Sequence, residues 1–231
     1  MTTASETLRA TLSMAAPALH AASARLWQAD DLRQRYPEYL RVMHAVIKAT
    51  VPLLLAARDR SGGRLAHYFD AHAHEETGHD EWLAEDLAAI GEPVAATPPT
   101  LVAELVGAQY YWVLHHHPVS LLGYIAVMEG FPPTAALIEH LERRTGYPAP
   151  AFRTLRVHAE ADIDHRAAVD TLLDRLPLDA ETGQALRVSA LHSVRKSTEL
   201  FHCLSGAADT IPVRYRIPGE PPQNRRHHTH R

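Results

Sequence analysis

The chain has 231 residues, 46% of them hydrophobic, with a formal net charge of −4. That length buries a sizeable core as one large domain or two small ones, and so mild a charge gives no electrostatic case for a nucleic-acid partner. A single cysteine, Cys203, excludes an internal disulfide and makes the cytoplasm the default location.

The opening MTTASETLRATLSMAAPALHAA lacks a basic start followed by an apolar run, so no secretion signal is expected. The longest apolar run, ATVPLLLAA at 49–57, falls short of the ~20 residues of a membrane span, so no membrane association is expected. Alanine and leucine dominate, and helical periodicity recurs almost everywhere. It predicts helices at 4–26, 31–58, 63–90, 100–116, 119–130, 133–145, 148–176 and 179–206. Pro52 should kink the second of these. SGG at 61–63, GEP at 91–93, FPP at 131–133 and LPLD at 176–179 punctuate the others. Residues 1–30 thus read as an N-terminal helix and 31–206 as the bundle. Residues 207–231 read as a flexible, basic, proline-rich tail, whose histidines carry no site. The fold class is all-α: a single-domain bundle of about seven to eight helices.

Histidine is the outlier, with 17 copies. In the third predicted helix, RLAHYFDAHAHEETGHDEWLAEDL, the inward stripe runs Leu65, Tyr68, Phe69, then His72, Glu76, His79, then Leu83 and Leu87. Positions i, i+4 and i+7 of a continuous helix lie within ~60° of arc, so this polar trio converges on the buried face. Glu75 sits just to one side and stays open as a contributor. The fifth predicted helix ends its stripe in Glu129, directly before Pro132 and Pro133. The seventh, in LRVHAEADIDHRAAVD, places His158, Asp162 and His165 at the same spacing as the first trio. A hydrogen-bonded polar cluster is the plainer reading of either trio. Three buried titratable groups in succession cost several kcal/mol of desolvation unless something compensates, and a cation does so directly. Four histidines and three carboxylates, Glu76, Glu129 and Asp162, exceed the needs of one structural zinc. They suit a pair of iron ions with positions left open for dioxygen, as helical bundles build them.

The pieces EETGHDEWLAEDLAAIG, GYIAVMEG and HAEADIDH, together with YPEYLRVMHAVIKATVPLLLAA, resemble the haem-oxygenase-like non-haem di-iron oxidases and oxygenases over most of residues 31–206. The resemblance implies a haem-oxygenase-like bundle, with His79, Glu129, His158, Asp162 and His165 as ligands and Glu76 joining them. Several members carry Glu seven residues before the third-helix His, where this chain has His72; either the site gains an imidazole or the second iron is held differently. It further implies two Fe(II) ions, the second labile, and O2 as co-substrate. An external electron donor, a homodimer and a role in natural-product biosynthesis are also implied. Family chemistries include oxidative decarboxylation of fatty acids, C–C cleavage of amino acids, nitrile formation and N-oxygenation. An amino-acid-type substrate is preferred here over a fatty acid, because Lys48, Arg166 and Lys196 are possible carboxylate partners and Tyr111 and Tyr124 possible pocket residues. Each of these could equally be ordinary surface or core.

Three rivals remain. A ferritin-type iron carrier would favour two Glu-x-x-His motifs, and only Glu76-Thr77-Gly78-His79 is present. A metal-free thiaminase-like enzyme would need a pocket cysteine, for which Cys203 is badly placed. A true haem oxygenase would need an axial histidine such as His20 or His44, and would leave the buried carboxylates unexplained.

Overall fold

The computed structural model describes residues 2–207, the side chains of 161–164 excepted. The predicted tail from 208 onward and the side chain of Asp162 therefore lie outside the described residues. All regular structure within them is helical. In chain order the helices are α1 (Ala4–Trp27), α2 (Leu32–Lys48), α3 (Thr50–Asp59), α4 (Gly63–Glu75), α5 (His79–Ala88), α6 (Thr100–His115), α7 (Leu121–Met128), α8 (Ala135–Thr145), α9 (Arg153–Leu173) and α10 (Ala180–Leu204). Short 3-10 turns precede α7 and α9.

Local chemistry sets most helix ends. Thr3 and Glu6 form a reciprocal capping box at α1, Thr134 caps α8 and Asp179 caps α10. Two predicted helices are each divided. The 31–58 helix breaks at Ala49, because Pro52 offers no N–H to the Lys48 carbonyl and its ring crowds that turn. The 63–90 helix breaks at 76–78, where Gly78 takes φ 88° and ψ 0°. That left-handed conformation costs glycine nothing and other residues a good deal.

α2 and α3 together, Leu32–Asp59, are long and apolar enough to cross a membrane, more so than the run at 49–57 suggests. Here they serve the interior, burying Leu40, Val42, Val46, Leu53, Leu54 and Ala57 in the common core. α10 is the other axis of the bundle and lies along α1, α7 and α6. Its approach to α7 is so close that a Cβ on Gly123 would stand 2.3 Å from the Leu186 carbonyl oxygen. Tyr36, fully buried, stacks on Phe152 at 4.9 Å and donates a 2.9 Å hydrogen bond to the Ala151 carbonyl. That contact, with the Asp86 carboxylate accepting the Thr154 N–H at 3.1 Å, fixes where α9 begins, one turn before His158.

Candidate metal centre

The break at Gly78 determines how the site is built. In an unbroken helix His72, Glu76 and His79 would share one face and one target. With the chain turned at 76–78 they part: His72 remains on α4, Glu76 is its C-cap, and His79 opens α5. Two clusters result, each with ligand atoms within 4.8 Å of one another: Glu76, His79 and His158, and His72, Glu129 and His165. α9 contributes one histidine to each, and Glu129 arrives as the residue that ends α7. The helix register puts position 162 between 158 and 165.

In the first cluster Glu76 Oε2 lies 3.2 Å from His79 Nδ1, and the His79 and His158 rings meet edge-on at 5.3 Å. Trp82, one turn along α5, stacks on His79 at 4.1 Å. His158 Nδ1 is 2.9 Å from the Thr154 carbonyl. A carbonyl only accepts, so Nδ1–H donates and the Nε2 lone pair is turned toward the cluster. Burial alone would raise the Glu76 carboxyl, but His79, His72 and His158 outweigh it and hold the group below its ordinary range.

In the second cluster His72 Nε2 is 2.8 Å from Glu129 Oε1, and its Nδ1 is 3.4 Å from Glu75 Oε2. His165 Nδ1 stands 3.5 Å from Glu129 Oε2, and its Nε2 3.7 Å from Glu75 Oε2. Burial opposes charge on the His72 imidazole, which is only 2% exposed, yet Glu129 and then Glu76 and Glu75 prevail and lift it to about 9. Glu75, left open by the sequence, is the carboxylate against which the far side of His72 is oriented.

The clusters face one another across a cavity of about 70 Å³, bordered by His72 and Glu129 from one and by Glu76 and His158 from the other. Tyr124 also borders it, its phenol pushed up by burial and by Glu129 and Glu76. On its other side His158 reaches a chamber of about 440 Å³ lined by Leu40, Met43, Ile47, Leu83, Leu155 and Phe201 among others. No Asp, Glu, Lys or Arg is among its described lining residues.

The pattern of a family described as iron-containing redox enzymes matches residues 37–199, more than half of the chain. The chain belongs to that family. Among solved structures it is similar to a domain of unknown function with a heme oxygenase-like fold from Shewanella denitrificans OS217. That match has 16% identity and a TM-score of 0.66, and covers 88% of this chain and 89% of the other. It is also similar to a TenA homolog from Pseudomonas syringae pv. tomato DC3000, at 12% identity and a TM-score of 0.58, covering 86% and 93%. These likenesses establish a heme oxygenase-like fold, as the motifs led us to expect. No curated protein matches the chain.

The donor set fits the family's metal. Each cluster offers two imidazoles and one carboxylate, the combination that binds non-haem Fe(II) while leaving positions open. Glu129 Oε2 and His79 Nδ1 are buried and make no well-aligned hydrogen bond among the described residues, only the 3.5 Å and 3.2 Å contacts to His165 and Glu76, which leaves both atoms suited to a cation.

Of the remaining candidates, Tyr124 borders the cavity between the clusters and Arg166 borders a pocket of about 130 Å³ shared with Glu129. Lys48 is exposed, Tyr111 is 61% exposed, and Lys196 is ion-paired with Glu104 and Glu199. None of these three borders the chamber or the cavity between the clusters. Cys203 lines neither as well, and burial pushes its thiol up. His20 borders the outer chamber, edge-on to Phe131. His44 is buried and its imidazole is pushed down by that burial. Sequence reasoning missed Trp82 and Asp86, both placed by tertiary contacts rather than by any motif.

Proposed function

We propose that this chain is an O2-dependent non-haem di-iron oxidase or oxygenase of a small metabolite. The observation that carries the reading is the pairing of two His–His–carboxylate clusters across one small cavity, next to a partly open, largely apolar chamber that a substrate would fill. Bound ferrous ions would supply the electrons and open positions at which dioxygen is activated. Glu76, His79 and His158 would hold one ion, and His72, Glu129 and His165 the other, with Asp162 available from the middle of α9. The chain's own contribution is positioning. Thr154 fixes the tautomer of His158, Glu75 that of His72, and the apolar wall excludes water from the reacting groups.

The chamber favours a substrate with an extended apolar body, such as a medium-chain fatty acid, because its described wall is largely apolar and holds no Asp, Glu, Lys or Arg. Oxidative decarboxylation is the matching reaction within the proposal. An amino-acid-type substrate is the second reading, and one observation favours it: Arg166 and Glu129 share a pocket where a carboxylate could be met. The proposal extends to an external electron donor and to a cytoplasmic homodimer.

The test is anaerobic loading with ferrous iron followed by oxygen uptake against octanoic, decanoic and dodecanoic acids and the common amino acids. Uptake triggered by one class, with product formed from it, supports the reading and selects the substrate. Iron that binds but is oxidised equally with and without every candidate would instead indicate a carrier of ferritin type.

A further inference from the structure

The second cluster has an approach of its own. A groove of about 580 Å³ between α4 and α9 is lined by His72 and His165, which are largely buried, and by Arg64 and Arg175, which are exposed. Arg64, Tyr68 and His72 stand at i, i+4 and i+8 on α4, so they form one stripe spanning about 12 Å along the helix axis. On the opposite wall His165, Ala168 and Arg175 follow the same course, and the small side chain of Ala168 helps keep the groove open.

Its electrostatics are unlike those of the apolar chamber. Neither the Arg64 nor the Arg175 guanidinium has an ion-pair or hydrogen-bond partner among the described residues. Glu75 also lines the groove, its carboxylate beside His72 Nδ1 at 3.4 Å and His165 Nε2 at 3.7 Å, while the acids nearer the two arginines are engaged outside it. Asp70 is paired with Arg58 at 2.9 Å, Asp170 with Arg9, and Asp174 accepts the N–H and hydroxyl of Ser5, each at 2.9 Å. His67 adds a third basic group to the lining. The Tyr68 hydroxyl is buried with no hydrogen-bond partner among the described residues, while its ring lies parallel to that of His72 at 5.5 Å. A buried hydroxyl without a partner is costly, and this one feels Glu129, Glu75 and Glu76 at the inner end of a groove that the rest of Tyr68 lines.

We propose that this groove binds a small organic anion, its carboxylate or enolate held by Arg64 and Arg175, its body against Tyr68 and its inner end at the His72–Glu129–His165 cluster. The site would give the two clusters separate approaches, an apolar one past His158 and an anionic one past Tyr68. The anion binds either as a reductant or as a polar substrate, and both sources share this recognition chemistry. The proposal rests on the di-iron reading only for what the anion does at the cluster; the binding itself does not need iron.

The experiment uses the full chain and ligand-observed NMR with adipate, and hexane-1,6-diol as a probe of equal length without charge. We expect adipate to bind more tightly than the diol, and Arg64→Gln or Arg175→Gln each to weaken adipate about tenfold. Displacement of adipate by ascorbate assigns the groove to a reductant, and adipate binding that ascorbate leaves untouched assigns it to a substrate. Equal binding of adipate and the diol, or adipate affinity unchanged in both variants, overturns the proposal. Iron content of the same variants separates the two claims. Loss of anion binding at unchanged iron content bears on the groove alone, and a parent protein that takes up no ferrous iron on anaerobic loading yet binds adipate through both arginines contradicts only the di-iron reading.

Discussion

Gly78 separates this structure from the one its sequence pattern suggests, and Gly78→Ala tests the difference by its sign. The residue has φ 88°, and a Cβ built on it meets nothing within 4 Å. The expected cost is therefore backbone strain without any clash, about 1–2 kcal/mol for an alanine in the left-handed region. For a chain of this size that corresponds to a melting temperature lowered by roughly 2–8 °C. Gly78→Asn should lose less, because asparagine tolerates that region. Were residues 72–79 one regular helix, alanine would instead stabilise the protein by about 0.4–1 kcal/mol through the unfolded chain. Thermal unfolding followed by circular dichroism reads the difference directly. A Gly78→Ala variant as stable as its parent, or more so, would refute the break and with it the division of His72 from His79.

Three further outcomes follow from the packing and the site. Gly123→Ala places a methyl 2.3 Å from the Leu186 oxygen and 2.9 Å from the Ala190 nitrogen; both are backbone atoms, so chemical denaturation should show a loss of about 1–3 kcal/mol. An unchanged midpoint would mean that α7 and α10 are not so closely apposed. Asp86 is fully buried, and burial raises its carboxyl despite the opposing contacts from Thr154 and Arg153. A carboxyl raised in the folded state binds its proton more tightly there than in the unfolded chain, so stability falls as pH rises from the ordinary carboxylate range through the raised value. Asp86→Asn keeps an acceptor for the Thr154 N–H and should flatten that dependence in urea unfolding as pH rises from the ordinary carboxylate range; parallel pH profiles would refute it. Leu155→Trp should shrink the chamber beside His158 and lower oxygen uptake triggered by the larger fatty acids while leaving iron content intact. Equal loss with every chain length would mean that the chamber does not measure the substrate.

The helices themselves were legible, because their apolar stripes, caps and proline stops are local. α1, α6, α8 and α10 begin and end within two residues of expectation. The break at Gly78 was not, since a glycine inside an intact stripe is compatible with a continuous helix, and the left-handed turn is selected by what surrounds it. The candidate ligands were legible for a related reason: polar groups interrupting a buried stripe stand out. Their partition into two threes was not, because it depends on α5 leaving the line of α4. The proposed carboxylate partners fared differently from one another. Lys196 is occupied by Glu104, 92 positions away in sequence, and periodicity carries no information about such a pairing. The apolar chamber draws its wall from α1, α2, α5, α6, α7, α8, α9 and α10, so its character was not readable from any one segment.

In the proposed function, two separate triads each hold one iron. Ferrous iron bound per chain, measured by elemental analysis and Mössbauer spectroscopy after anaerobic loading, tests it most directly. Two irons are expected in the parent protein. His79→Ala should lose one and retain a site that still responds to His72→Ala, while the double variant should bind none. A single iron in the parent, or loss of all iron from either single variant with the fold intact, would contradict it.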